Sequence, residues 1–336
     1  MPPTTIDPGI NQPKYQQIIE AITTSIEQGT LLLGQQLPSI NALAGEQGVA
    51  KVTVAKAYEA LRQRGIVQAH HGKGFYVSTT DVRIPLNVFV LFDTLNAYKE
   101  TLYDALKSAL PIDAAINVFF HHYNRTLFEN LIRNNVGRYS AYVIMPHFNE
   151  DVSEVVGLIP TDKLLLIDQT IATLSGDYTA IYQDFEHDVY QALNSILDCL
   201  QNYRKLTLVL AKDHFQYMPN TLLAGFNRFR LDSGMPCAIV DNYHDGLVQS
   251  GEAFLLFAER DLIDLIKRVN QIGLTLGQDV GLISYDDTPV KEILAGGITV
   301  ISTDFARMGQ TAGELLTTRT RLKQVNPSRL IRRQSL

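Results

Sequence analysis

The sequence is poor in cysteine and has no long apolar run. Cys199 and Cys237 are the only cysteines among 336 residues, and both lie in apolar stretches, ILDCL and MPCAIV. Two such thiols do not make a disulfide framework, and buried free thiols in a reducing cytoplasm are expected. No apolar run reaches the roughly 18 residues that span a bilayer. The opening MPPTTIDPG has neither the basic region nor the apolar segment of a secretory signal. A soluble cytoplasmic protein without membrane contact is therefore expected. Chemical motifs are also missing: there is no GxxxxGK[ST] phosphate loop, no HExxH and no paired CxxC. His121 and His122 are adjacent, but neighbours on a strand point to opposite faces, so the pair offers one metal ligand at most. Neither an enzyme, a cofactor nor a metal site is expected.

The net charge of −6 argues against nucleic acid until it is divided along the chain. Residues 1–80 carry six basic and five acidic residues, which leaves 23 basic against 30 acidic for the remainder. The basic residues of the first part are clustered, and placement governs a field more than the total does.

Residues 13–28 place Tyr15, Ile18, Ile19, Ile22 and Ile26 at helical spacing, with Gly29 as a stop. After GTLLLGQQLPS, Ser39 is positioned to cap a short helix over 40–47 that Gly48 ends. A third helix, from about Lys51 to Arg64, turns Val54, Ala57, Tyr58 and Leu61 inward. Then IVQAHHGKGFYVS reads as two short strands around a turn at His71-Gly72-Lys73-Gly74. Three helices and a hairpin in this order predict a winged helix-turn-helix over residues 1–78, followed by a linker over 79–85.

From residue 86 onward, runs of four to six apolar residues alternate with amphipathic helices. Ten such runs, from LNVFVLF (86–92) to ITVIST (298–303), predict parallel strands covered on both faces. Ten strands suit two similar βα lobes better than one sheet. The expected fold is thus α/β: a winged helix plus a two-lobed body over 86–336. Lobe 1 is drawn as about 86–184 plus 303–320 and lobe 2 as about 185–302, with a hinge near Asp184 and Thr303. In such sheets ligands bind at the carboxyl ends of the strands.

Residues 13–78 resemble the GntR-type winged helix. The resemblance is carried by Tyr15, Gly34, Leu37-Pro38-Ser39, Leu43-Ala44, Gly48-Val49, Thr53-Val54, Leu61, Gly65-Ile66 and Gly72-Lys73-Gly74. It implies a homodimer on a palindromic double-stranded DNA operator. On the third helix, Lys51, Val52, Ala55 and Lys56 face outward near the end that enters a major groove. Lys51 suits a guanine edge or a phosphate, and Val52 a thymine methyl. Ser39 and Thr53, near helix N-termini, suit phosphate oxygens. His71 and Lys73 occupy the wing tip. The sequence departs from the family pattern at Asn41, Ala50-Lys51 and Ala55, where arginine or Ser-Arg is common. The base-reading set is therefore light in arginine.

The body resembles the periplasmic sugar-binding-protein fold as used in lactose-repressor-type regulators. The stretches that carry this are VGLISYDDTPVKEILAGGITVISTDFARMGQTAGELL (280–316), LLAGFNRF (222–229) and IYQDFEHDVYQAL (181–193). The resemblance implies a small-molecule effector between the lobes, with Asp286 as a contact for sugar hydroxyls and Asp168 as a second acidic contact. It implies Phe226 as the stacking aromatic, with His187 and Glu259 at effector-binding positions and Arg260 beside them. From strand ends alone, Asp93, Asp184 and His147 join the set, while Asp287 reads as a helix cap. An arginine common in the family is replaced by Leu222, which argues against an anionic ligand and for a neutral monosaccharide. A repressor of a carbohydrate-utilisation operon is expected. The alternative is a sugar receptor or interaction protein whose lobes do not regulate DNA binding.

Overall fold

In a computed structural model that describes residues 12–80, 82, 85–211 and 218–336, the chain forms two compact units. One is centred on the N-terminal helices and the other holds two parallel sheets. The MPPTTIDPG opening and residues Asp81, Arg83 and Ile84 of the expected linker lie outside the described residues.

The first unit begins with α1 (Lys14–Glu27), which buries Ile18, Ile19, Ile22 and Ile26 on one face. Helix α2 (Ile40–Gln47) is capped by Ser39, whose Oγ accepts from the Ala42 N–H at 3.1 Å, and Gly48 stops it with a left-handed φ of 60°. Helix α3 (Lys51–Gln63) buries Val54, Ala57, Tyr58 and Leu61. The Tyr58 hydroxyl donates to the Pro38 carbonyl at 2.8 Å, which ties α3 to the turn before α2. Strands β1 (Val67–His70) and β2 (Gly74–Val77) pair antiparallel as the wing.

The second unit alternates strands and helices. Its first lobe contains β3 (Asn87–Phe92), α4 (Ala97–Ala109), β4 (Ala115–Phe120), α5 (Arg125–Asn135), β5 (Ala141–Ile144), α6 (Ser153–Val156), β6 (Leu164–Asp168) and β7 (Thr179–Tyr182). The second lobe follows with α7 (Phe185–Ser195), α8 (Leu197–Leu200), β8 (Lys205–Val209), α9 (Asn220–Ser233), β9 (Cys237–Val240), β10 (Glu252–Leu256), α10 (Glu259–Gln271), β11 (Val280–Tyr285), α11 (Pro289–Ile293) and β12 (Thr299–Thr303). Then come α12 (Phe305–Thr318), β13 (Lys323–Val325) and β14 (Ser328–Ile331). The sheet orders are β13-β7-β6-β5-β3-β4 and β14-β12-β11-β10-β8-β9. Central strands such as β5, β6, β10 and β11 are buried along their whole length, which is why they read as unbroken apolar runs.

Two strands were not expected. Strand β13 pairs parallel with β7 at the edge of the first sheet, and β14 pairs antiparallel with β12 at the edge of the second. The chain therefore passes between lobes three times, after β7, after β12 and between β13 and β14, where two passages were expected. Asn326, 1% exposed, stands at the third passage. Its Nδ2 donates to Thr303 Oγ1 at 2.8 Å and to the Asp304 carbonyl at 3.0 Å, and its N–H donates to the Tyr182 carbonyl at 2.7 Å. One residue, through its side-chain amide and its backbone N–H, thus links all three crossing segments.

The last residues lie across the second lobe. Ser335 is fully buried; its Oγ donates to the Leu282 carbonyl at 2.6 Å and accepts from the Thr299 N–H at 2.8 Å. Arg333 holds both carboxyl oxygens of Asp287, at 2.9 and 2.7 Å. Asp287 is therefore not the helix cap that was expected; Thr288 caps α11. Cys199 is buried and Cys237, on the edge strand β9, only half-buried; both are free thiols. Among the described residues no helix is long and apolar enough to cross a membrane.

Candidate functional site

On the first unit, α3 sets its core stripe inward and thereby fixes what faces out. Lys51, Val52 and Lys56 are exposed, Val52 at 75%, while Thr53 and Ala55 are half-buried beside them. No side chain caps α3, and the Thr53 N–H in its first turn donates to the Ala50 carbonyl at 2.9 Å. Lys56 Nζ sits 4.0 Å from the centre of the Tyr15 ring, which holds the ammonium over α1. Ser39 and Asn41 are exposed at the start of α2, and His71 and Lys73 are exposed at the wing tip. Ser39 also serves as the α2 cap.

In the second unit the strand-end acids converge on a cleft between the two sheets. Asp93 follows β3, His147 follows β5 and Asp168 ends β6. His147 Nδ1 lies 2.8 Å from Asp93 Oδ2, and its Nε2 lies 2.7 Å from Asp168 Oδ2. Lys99, fully buried on α4, reaches the other Asp93 oxygen. Gln183 Nε2 donates to Asp168 Oδ1, and the Tyr285 hydroxyl to Gln183 Oε1 at 3.4 Å. Burial works against the His147 charge, but Asp93 and Asp168 outweigh it and raise its pKa to about 9. Burial likewise opposes the Asp93 charge, yet His147 and Lys99 hold its carboxyl well below the usual carboxylate range. The two acids of this lobe are thus matched by two cations.

Asp286, at the end of β11, lacks such a match. Its Oδ1 is buried and has no hydrogen-bond partner among the described residues. Burial, the dominant cause, pushes its carboxyl up to about 7, although Lys291 pulls the other way. Lys291 Nζ instead donates to the Tyr285 and Asp286 carbonyls, each at 2.7 Å, and so pins the turn after β11. Asp286 and Asp168 both adopt left-handed backbone, at φ 57° and 73°. Such a conformation costs a non-glycine residue about 1–3 kcal/mol and clusters at ligand sites.

These groups line a central chamber of about 50 Å³, together with Tyr98, Phe257, Tyr285 and Leu222. A second chamber of about 520 Å³ shares Gln183 and Phe185 with it, and a third of about 220 Å³ shares Tyr98 and Asp286. The arrangement suits hydroxyl recognition: carboxyl oxygens as acceptors, aromatic faces for C–H surfaces, and no surplus cation for an anion. Among the described residues no group of three or more His, Cys, Asp or Glu could hold a metal.

The expected set is therefore gathered only in part. Asp93, His147, Asp168 and Asp286 share the central chamber. Phe226 does not: it is fully buried in the core of the second lobe with Phe185 and Phe229, so it cannot stack on a ligand. Asp184 is exposed, caps α7 through the His187 N–H at 3.1 Å, and lines the second chamber rather than the central one. His187 is exposed on the first turn of α7 and lines neither of these chambers. Glu259 lines the third chamber, whereas Arg260 points outward, 3.9 Å from Asp264 and 78% exposed. Sequence reasoning missed Lys99, Tyr98, Gln183 and Lys291. His121, fully buried, has Nε2 3.2 Å from the Met145 carbonyl, and burial lowers its pKa to about 4; it is a core histidine.

Comparison with known proteins matches each unit separately. Residues 14–77 match the gntR family of bacterial regulatory proteins, and residues 199–336 match a periplasmic binding protein-like domain. Over 73 residues the chain is 37% identical to the HTH-type transcriptional repressor YtrA of Bacillus subtilis, covering 22% of this chain and 56% of that protein. Over 83 residues it is 35% identical to the mannosyl-D-glycerate transport/metabolism system repressor MngR of Escherichia coli, covering 25% of this chain and 35% of that protein. The match thus spans less than two thirds of either relative. The structure of a dimeric Lac repressor superposes with a TM-score of 0.61 at 17% identity, over 74% of this chain and 98% of that one, which is a likeness of fold. The chain thus joins a winged helix that matches the gntR family model to a body with the fold of the Lac repressor, whose residues 199–336 match a periplasmic binding protein-like domain.

Proposed function

We propose that the protein is a DNA-binding transcription regulator, a repressor of a carbohydrate-utilisation operon, controlled by a neutral sugar held between the lobes of its body. Two copies would each place one α3 on half of a palindromic operator, with Lys51, Val52 and Lys56 toward the groove and Ser39, Thr53, His71 and Lys73 toward the backbone. Both named relatives are repressors, which supports the sign of regulation. The effector acts only through a difference in affinity for two states of the protein. Closure of the lobes about the three crossing segments is the motion that supplies two states.

The observation that carries the sugar reading is Asp286. Its buried Oδ1 has no partner, while the acids opposite are already matched by Lys99 and His147. A hydroxyl donor completes this site without adding charge, whereas a carboxylate or phosphate would face three acids. The test is a thermal-shift screen against neutral sugars, sugar acids and sugar phosphates. A ligand at 100 times its Kd stabilises by about 2.7 kcal/mol. A shift with a neutral sugar, followed by sugar-dependent release of operator DNA in a filter-binding assay, supports the reading. A shift with anionic compounds alone overturns the neutral ligand, and no shift with any carbohydrate overturns the sugar.

A further inference from the structure

We infer that Arg333 is a positioning residue of the effector site: its guanidinium fork holds Asp287, and with it the turn that presents the Asp286 carboxyl to the cleft. This rests on the reading of the cleft as a sugar site. Asp168, on the opposite lobe, is oriented by side chains that grip its own carboxylate, His147 and Gln183. Asp286 Oδ1 has no such grip among the described residues. Its place is set by the turn after β11, where the backbone at Asp286 is left-handed with φ 57°. A non-glycine residue keeps that conformation only where its surroundings over-determine it.

Other restraints on this turn act on its main-chain atoms. The Asp286 N–H donates to the Ile301 carbonyl at 2.8 Å, the Asp287 N–H to Ser302 Oγ at 3.0 Å, and Lys291 Nζ to the Tyr285 and Asp286 carbonyls. Arg333 instead takes both side-chain oxygens of Asp287, and a bidentate fork fixes a carboxylate in direction as well as distance. The arginine is itself held in place. Its Nη1 also donates to the Ile298 carbonyl at 2.9 Å, and its backbone N–H donates to Thr299 Oγ1 at 3.0 Å. Its stem lies against Gly297, where a Cβ would come within 2.9 Å of Arg333 Cδ. Neither Arg333 nor Asp287 lines any of the three chambers, so both act through Asp286 and not on a ligand. Asn326, at the third passage between lobes, belongs to the same short stretch of chain, which therefore reaches both a crossing segment and the Asp286 turn.

The experiment compares the full-length protein with Asp287→Asn/Arg333→Gln, which removes both charges together and strands neither. Isothermal titration calorimetry is run with D-glucose, D-galactose, D-ribose, D-xylose, L-arabinose, maltose and lactose. Binding groups must be held within about 0.5 Å of their working positions, so whichever sugar binds the parent should bind the double variant at least roughly tenfold more weakly. Arg333→Lys keeps the charge but loses the fork, and should weaken the same sugar by about threefold or more. A second readout needs no ligand. Burial raises the Asp286 carboxyl to about 7, so Asp286→Asn gains stability over the parent as pH rises from about 5 to 8. Calorimetric melting should show that gain at least halved in the double-variant background, because a released turn lets water reach the carboxyl. Full sugar affinity in either variant, or an undiminished gain, overturns the inference while the sugar reading stands. No heat with any of the sugars overturns the sugar reading, and the melting series then decides alone whether Arg333 holds Asp286.

Discussion

Substituting Asp286→Asn should stabilise the unliganded protein, by more and more as pH rises from about 4 to 8. The Asp286 carboxyl is buried with one oxygen unpartnered, and its pKa rises from the ordinary 3.8 to about 7. Because the folded-state value lies above the unfolded one, the folded protein holds the proton more tightly. The stability this proton supplies is full below the unfolded value and is lost as pH rises through 7. The whole displacement corresponds to about 4 kcal/mol at 1.36 kcal/mol per pH unit, of which about 2–3 kcal/mol falls between pH 5 and pH 8. Asparagine keeps the shape and carries no charge, so the variant escapes this loss. For a unit of this size 1 kcal/mol moves a melting midpoint by roughly 2–4 °C. The variant should therefore melt with the parent only below about pH 4, and its advantage should grow by roughly 5–10 °C between pH 5 and pH 8. Differential scanning calorimetry of both proteins across that range gives the answer, since other titrations cancel in the difference. A gap that stays constant with pH, or a variant less stable at pH 8, would refute the account of Asp286 as a charge held at a cost for a ligand.

Further predictions follow from the same geometry. Lys51→Ala combined with Lys56→Ala should make the dependence of log K on log salt shallower by about 1.8 if both lysines sit on phosphates, with sugar binding unchanged; fluorescence anisotropy at several salt concentrations reads this. His147 should still be protonated at pH 7.5, since its pKa is raised to about 9. The stability it gives is full below the ordinary 6.5 and lost as pH rises through 9, which imidazole NMR titration reports directly. His147→Gln, which removes the cation between Asp93 and Asp168, should cost about 3–5 kcal/mol in urea unfolding at neutral pH. Gly277→Ala should dislodge the C-terminal residues, because the new Cβ would lie 1.9 Å from the Gln334 carbonyl oxygen at a φ of +82°; a lowered urea midpoint and faster exchange of the Leu282 amide would show it.

The sequence revealed the elements whose signal is local. Helix α3 announces itself by Val54, Ala57, Tyr58 and Leu61 at helical spacing, and β11 by an unbroken apolar run ending in Asp286. Phe226 was misassigned although its own periodicity marked it: with Leu222, Gly225 and Phe229 it completes the inward stripe of α9. The rings that line the central chamber are instead Tyr98, Tyr285 and Phe257, which only the fold brings together. Lys99 lies on an amphipathic helix and has no local signal of burial; its burial depends on Asp93 across the turn. The Arg333–Asp287 pair joins residues far apart in the chain, and β13 and β14 are short, polar and split by Pro327. Neither carries a periodic signal, because each is defined by an existing sheet edge rather than by its own residues.

The threefold passage between lobes has a consequence for anyone cutting the gene. The first sheet takes strands from 87–182 and from 323–325, and the second from 205–303 and from 328–331. No single contiguous fragment therefore encodes all the strands of one lobe without also carrying elements of the other. A fragment ending after β12 would strip an edge strand from each sheet at once, and the stretch 199–336 that matches a periplasmic binding protein-like domain carries β13 away from its partner β7. Recombination that exchanges ligand specificity between such proteins is thus steered toward transfer of the body whole, or toward substitution of residues inside the cleft, rather than toward lobes traded as modules.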